Sequence, residues 1–81
     1  MVVLTPRLCK AARALLGWEQ KDLAAFSGVS KSTIGAFEIK DEKARLATMN
    51  NRVLVQAFEE AGLAFISENG GGAGVRLKRQ S

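Results

Sequence analysis

The chain has 81 residues, twelve Lys/Arg against eight Asp/Glu, a formal charge of +4 and a pI near 9.7. At 47% apolar and 25% charged residues it is too apolar for disorder, and its length suits one compact domain with a small core. The absence of histidine and the single cysteine, Cys9, exclude an internal disulfide, a Cys/His zinc site and a hydrolase built on an imidazole base. No enzyme, metal or cofactor is expected from this inventory, and no small-molecule ligand. One free thiol fits a reducing compartment, Met1–Leu4 lacks the basic start of a signal peptide, and no apolar run reaches the ~18 residues of a membrane span. The expectation is a cytoplasmic binding module.

Thr5-Pro6 opens the first element: a side-chain oxygen to cap, then a residue whose fixed φ suits the first helical turn. Leu8, Ala12, Leu15 and Leu16 recur at helical spacing, with Arg7, Lys10 and Arg13 on the opposite side, and Gly17 ends the helix. Cys9 reads as a small buried hydrophobe. Trp18 follows at the junction, where it wedges between helices. A second helix runs from about Gln20 to Phe26, with Leu23, Ala24 and Phe26 inward; Ser27-Gly28-Val29 breaks it. Ser30 then caps a third helix reaching about Glu38, with Ile34 and Phe37 inward.

Residues 39–49 read as an extended connection. Thr48 or Asn50 caps a fourth helix whose inward face is Leu54, Ala57, Phe58 and Ala61, closed by Gly62. Beyond it, 63–67 and 75–79 read as two strands joined by a glycine-rich turn. Leu63, Phe65 and Ile66 face Val75 and Leu77 across that hairpin and leave Arg76 and Lys78 outward. The loop glycines are followed by neither Lys-Ser/Thr nor a helix, so they do not make a phosphate cradle.

Counted from Gln20, the residues Gln20, Leu23, Ala24, Gly28, Val29, Ile34 and Phe37 fall at positions one, four, five, nine, ten, fifteen and eighteen of a two-helix unit. Ala24 is small where the helices cross, and Gly28 tolerates a positive φ in the turn. This pattern resembles the phage-repressor and Cro-like helix-turn-helix family, also called the XRE family, over roughly residues 5–62. The flanking segments Ala12-Arg13-Ala14-Leu15-Leu16-Gly17-Trp18 and Gln20-Lys21-Asp22-Leu23-Ala24 look like the family's first junction. Phe58-Glu59-Glu60-Ala61-Gly62-Leu63 with the following hairpin is similar to a short bacterial subset. Two positions depart from the pattern. Glu19 stands where the family carries a Ser or Thr cap, which implies a weaker start to the second helix. Ile39-Lys40 replaces the glycine often found after the third.

The resemblance implies a mainly α, lambda-repressor-like four-helix domain with a C-terminal β-hairpin, a single domain over 1–81. It implies a sequence-specific DNA-binding transcription regulator, a homodimer on an inverted-repeat operator, a repressor by default and in some members an activator that touches RNA polymerase through an acidic face near Glu19 and Asp22. The third helix would enter the major groove. Lys31 and Ser32 lead its base contacts, with Gly35 and Ala36 one turn on; Gly35 reads either as a point of close backbone approach or as a tolerated glycine. Gln20, Ser30, Thr33, Lys40, Lys43 and Arg45 would contact phosphates. The hairpin residues Leu63, Phe65, Val75 and Leu77 would assemble the dimer. Val53 and Val55 read either as part of that contact or as ordinary core. The rival from another class is a protein-interaction module, such as an antitoxin or anti-activator, using the same fold.

Charge does not mark the two-helix unit. Residues 18–62 hold six basic and seven acidic side chains, a net of −1, and the excess lies in the first helix and the tail. Net charge therefore argues only for general attraction to phosphate.

Overall fold

A computed structural model describes residues 2–67 and 72–78. Six elements follow in chain order: α1 (Pro6–Leu16), α2 (Gln20–Ser27), α3 (Lys31–Glu38), α4 (Thr48–Glu60), β1 (Leu63–Ile66) and β2 (Gly74–Leu77). The architecture is the expected one, mainly helical with an antiparallel two-strand hairpin after the fourth helix. No helix among the described residues is long and apolar enough to cross a membrane.

The helix ends follow from local chemistry. The Leu8 N–H donates to Thr5 Oγ1 at 3.1 Å, Pro6 occupies the first turn, and Gly17 takes the left-handed conformation at φ 68°. Gly28 does the same after α2 at φ 81°, which fixes the turn into α3. The start of α2 is firmer than Glu19 implied. The Asp22 carboxylate reaches back to accept the Glu19 N–H at 2.8 Å, so the cap bond is supplied from inside the helix. At α4 the expected caps fail: the N-cap is Ala47, with no side-chain bond, and Thr48 already lies in the helix.

The core gathers Leu4, Leu8, Cys9 and Ala12 with Leu23, Val29, Ile34 and Phe37, and closes on Leu54, Val55, Ala57, Phe58 and Leu63. Each large aliphatic or aromatic side chain sealed there contributes about 1.5–3 kcal/mol relative to exposure. Leu15 is 41% exposed rather than inward, because the inner face of α1 rotates past it to Leu16. Phe26 is not inward either: its ring lies over Trp18 and stays 68% exposed. Ala61 is likewise exposed, since α4 stops at Glu60 and the chain turns through Gly62 at φ 111°.

An unforeseen clasp fixes the N-terminus. Asn51 on α4 is buried; its Oδ1 accepts the Leu4 N–H at 2.8 Å and its Nδ2 donates to the Val2 carbonyl at 2.7 Å. One carboxamide thus satisfies two backbone groups of an extended segment that has no neighbouring strand to do so.

The connection from α3 to α4 is also tied down. Asp41 Oδ1 accepts the Lys43 N–H at 2.8 Å, and Glu42 Oε1 accepts the Arg7 N–H at 2.8 Å at the open start of α1. That backbone N–H holds the Glu42 carboxyl below its usual range.

In the hairpin, Leu63 pairs with Leu77 and Phe65 with Val75, as the alternation predicts. Ile66 pairs with Gly74, which places it on the opposite face from Phe65, where it is exposed. The second strand begins one residue early, at Gly74, and ends at Leu77; the expected end at Arg79 and the turn residues 68–71 lie outside the described residues.

Candidate nucleic-acid interface

The presentation of α3 depends on what holds its far end. Glu38 closes the helix and is only 2% exposed, a charge that water cannot stabilise. Arg13 of α1 meets it with two parallel bonds, Nε to Oε2 at 2.9 Å and Nη2 to Oε1 at 2.6 Å. Gln20 Nε2 donates to the same Oε1 at 3.0 Å, and the remaining Arg13 Nη1 donates to the Trp18 carbonyl at 3.0 Å. One carboxylate therefore ties α1, the α1–α2 junction, the start of α2 and the end of α3 together. Burial by itself would push the Glu38 carboxyl up, but the bonds from Arg13, Cys9 and Gln20 outweigh it and hold the group below its usual range. The hydrogen bond to Glu38 raises the Arg13 guanidinium in turn. Burial, then Glu38, push the Cys9 thiol up, so it stays protonated and inert.

This knot changes the reading of three residues. Arg13 is not on the outward side of α1; its guanidinium turns in to Glu38. The Gln20 carboxamide is engaged inside the unit, which leaves the backbone at the start of α2, rather than the side chain, for a phosphate. Gly35 serves a purpose that neither reading foresaw. A Cβ built there would sit 3.2 Å from Gln20 Oε1, so the missing side chain makes room for Gln20 to cross between the helices.

At the other end of α3 the first turn faces solvent, and the Ser32 hydroxyl lies 3.3 Å from that of Ser30. Lys31, Ser32 and Ala36 are exposed, and Thr33 and Gly35 are half-buried. Ser30 caps the helix, accepting the Thr33 N–H at 3.2 Å and donating to Thr33 Oγ1 at 2.9 Å. Its hydroxyl and that of Thr33 are thus committed to each other within the turn. Lys40 and Lys43 are exposed beside the helix. Arg45 is exposed too, but its Nη1 is bound to the carbonyls of Glu42 and Ala44 at 2.7 and 2.8 Å, which fixes the guanidinium over its own loop.

The expected assembly residues divide. Val55 is 3% exposed and Leu63 is fully buried, so both are spent on the core of their own chain and unavailable to a partner. Val53, Phe65 and Val75 are half-buried and Leu77 is exposed.

Two short helices joined at a left-handed glycine, with the second offering its N-terminal turn to solvent, define a helix-turn-helix DNA-binding module. Residues 10–49 match the Helix-turn-helix family model, from within α1 to the start of α4. Over those residues the chain carries a helix-turn-helix domain of the Cro and phage-repressor type found in DNA-binding regulators. No curated protein matches the chain at a significant level.

The Glu38 knot was the main omission of sequence reasoning. Its signal was a charged residue directly after the inward Phe37, on a helix that otherwise ends without a cap.

Proposed function

We propose that this chain is a sequence-specific transcription regulator that binds an inverted-repeat operator as a homodimer and represses by occupying promoter DNA. The observation that carries this reading is the exposed first turn of α3, Lys31 and Ser32, on a helix whose other end is anchored through Glu38 to α1 and α2. Rigid support matters because base reading requires side chains held in fixed register with the groove edge. In the proposed complex Lys31 donates to the acceptors of a guanine edge, Ser32 reads the adjacent base, and the Ala36 methyl meets a thymine methyl. Gly35 is given no base contact in this complex, because the space its missing side chain leaves opens toward Gln20. Phosphates are met by the backbone at the start of α2, by the Ser30–Thr33 turn and by Lys40, Lys43 and Arg45.

A unit with nearly balanced charge binds DNA weakly as a single copy, so a second half-site about one duplex turn (~34 Å) away supplies the rest. Val53, Phe65, Val75 and Leu77 are the apolar residues this reading assigns to the dimer contact.

The test is selection of bound sites from random DNA, followed by titration of the preferred operator. Lys31→Ala is expected to lose about 1–3 kcal/mol of discrimination at one symmetric base position. Unchanged affinity and unchanged base preference in that variant would remove α3 from the major groove.

A further inference from the structure

The side of α2 turned away from α3 carries an aromatic surface that the DNA reading leaves unused. Phe26 is 68% exposed, yet its ring stacks on Trp18 with centroids 4.8 Å apart and planes within 8°. Trp18 in turn stacks on the buried Phe58 at 6.0 Å, so the outer ring is anchored to the core through the inner ones. Beside this pair lies a hollow of about 330 Å³, lined by Trp18, Phe26, Ala57, Glu60 and Ala61. Ala57 in the last turn of α4 and Ala61 just past its end give the hollow a floor of small side chains, over which another backbone can come close.

The rim is acidic. Glu60 lines it directly, the exposed Glu59 is its neighbour in sequence, and Asp22 stands one turn before Phe26 on α2, with Glu19 at the cap just ahead of that helix. Lys78 approaches from the hairpin side, where its Nζ donates to the Glu59 carbonyl at 3.2 Å. This charge decides between occupants. Nucleic acid is repelled. A two-fold contact between copies of the chain would set Glu60 and its acidic neighbours against themselves, and like charges brought together oppose association.

The geometry points to a docking groove for a protein partner that presents a basic amphipathic helix: an apolar stripe for the Trp18–Phe26 surface, flanked by Lys and Arg for Glu60, Asp22 and Glu19. Rigid aromatic side chains on an apolar floor with a charged rim are the usual composition of a binding hot spot, and a helix laid in such a groove uses anchors one turn apart. The groove lies away from the exposed turn of α3, and the inference does not depend on the DNA reading.

Trp18 is the only tryptophan and reports on the groove directly. The probe is a synthetic helix of about five turns, with leucines at i, i+3, i+4 and i+7 and lysines elsewhere, compared with a scrambled peptide of identical composition. We expect saturable binding of the amphipathic peptide with a change in Trp18 fluorescence, and binding weaker by about tenfold or more for the scrambled one. Glu60→Lys and Phe26→Ser, followed by calorimetry, should each lower affinity for the amphipathic peptide by about tenfold. Equal binding of both peptides, or full affinity in both variants, overturns the proposal. So does self-association of the unmodified chain that Phe26→Ser abolishes, which would give the groove to a second copy. Operator binding by Phe26→Ser stays at the level of the unmodified chain if the groove takes a partner helix and falls if it takes a second copy, whereas failure of the DNA reading would show as no operator binding by the unmodified chain.

Discussion

The two faces of α2 are held in opposite ways. Toward α3, contact is made through directed bonds: Arg13 and Gln20 converge on Glu38, and Gln20 occupies the space that Gly35 leaves open. Toward α4, contact is made through stacked rings, Phe26 on Trp18 on Phe58, and the outermost ring, Phe26, faces solvent. Hydrogen bonds to a buried charge have one good geometry, whereas apolar stacking tolerates sliding by fractions of an ångström. The helix that must present side chains in register is tied by the first kind of contact. The surface available to an adaptable partner is built from the second.

The largest effect should come from cutting the directed side. Glu38→Ala leaves Arg13 without its carboxylate and is expected to destabilise the fold by about 3–5 kcal/mol in denaturant titrations. If the loss is below ~1 kcal/mol, the two faces of α2 are not held differently. The same group sets a pH signature. The folded chain holds the Glu38 carboxyl below its usual range, so on acidification the unfolded chain takes up that proton first. The stability it confers is complete above about pH 4.3 and is lost as pH falls through the folded value; Glu38→Gln should flatten that acid limb.

A second, smaller loss should follow at the other directed clasp. Asn51→Ala leaves the Leu4 N–H and the Val2 carbonyl without their side-chain partner and is expected to cost about 1–3 kcal/mol. Hydrogen exchange should show the Leu4 amide losing protection in that variant.

Gly35→Ala tests how tightly Gln20 is placed. Alanine gains roughly 1 kcal/mol of helix propensity, against which stands a Cβ 3.2 Å from Gln20 Oε1. In a Gln20→Ala background the full gain should appear, and in the unmodified chain a smaller one. Identical gains in both backgrounds would mean that Gln20 yields freely. The smallest effect belongs to the stacked side: Phe26→Ser should change stability by no more than about 0.5 kcal/mol, because the ring it removes is mostly in water.

Much of this was written locally in the sequence. Thr5-Pro6, Gly17, Gly28 and Ser30 each act through their own backbone or the next turn, so both ends of α1, the end of α2 and the start of α3 could be read directly. The spacing from Gln20 to Phe37 marks two helices packed through one small residue, and that was enough for the family. Local signals misled where the competing choice was equally local. At α4, Thr48 and Asn50 are both good caps by type, yet the helix starts after Ala47, and Asn51 is drawn instead into the clasp on Val2 and Leu4.

What the sequence determined by itself was the order of helices and the turn between α2 and α3. Tertiary structure alone decided how the charges are used. Arg13 and Glu38 are 25 residues apart, and Gln20 and Glu38 are 18 apart. No spacing rule joins residues at such separations, because their meeting depends on how three helices cross. The same crossing made Gly35 a space for Gln20 and buried Val55 and Leu63. It also left Phe26 in solvent beside an acidic rim, in a two-helix unit whose net charge gave no hint of a second binding face.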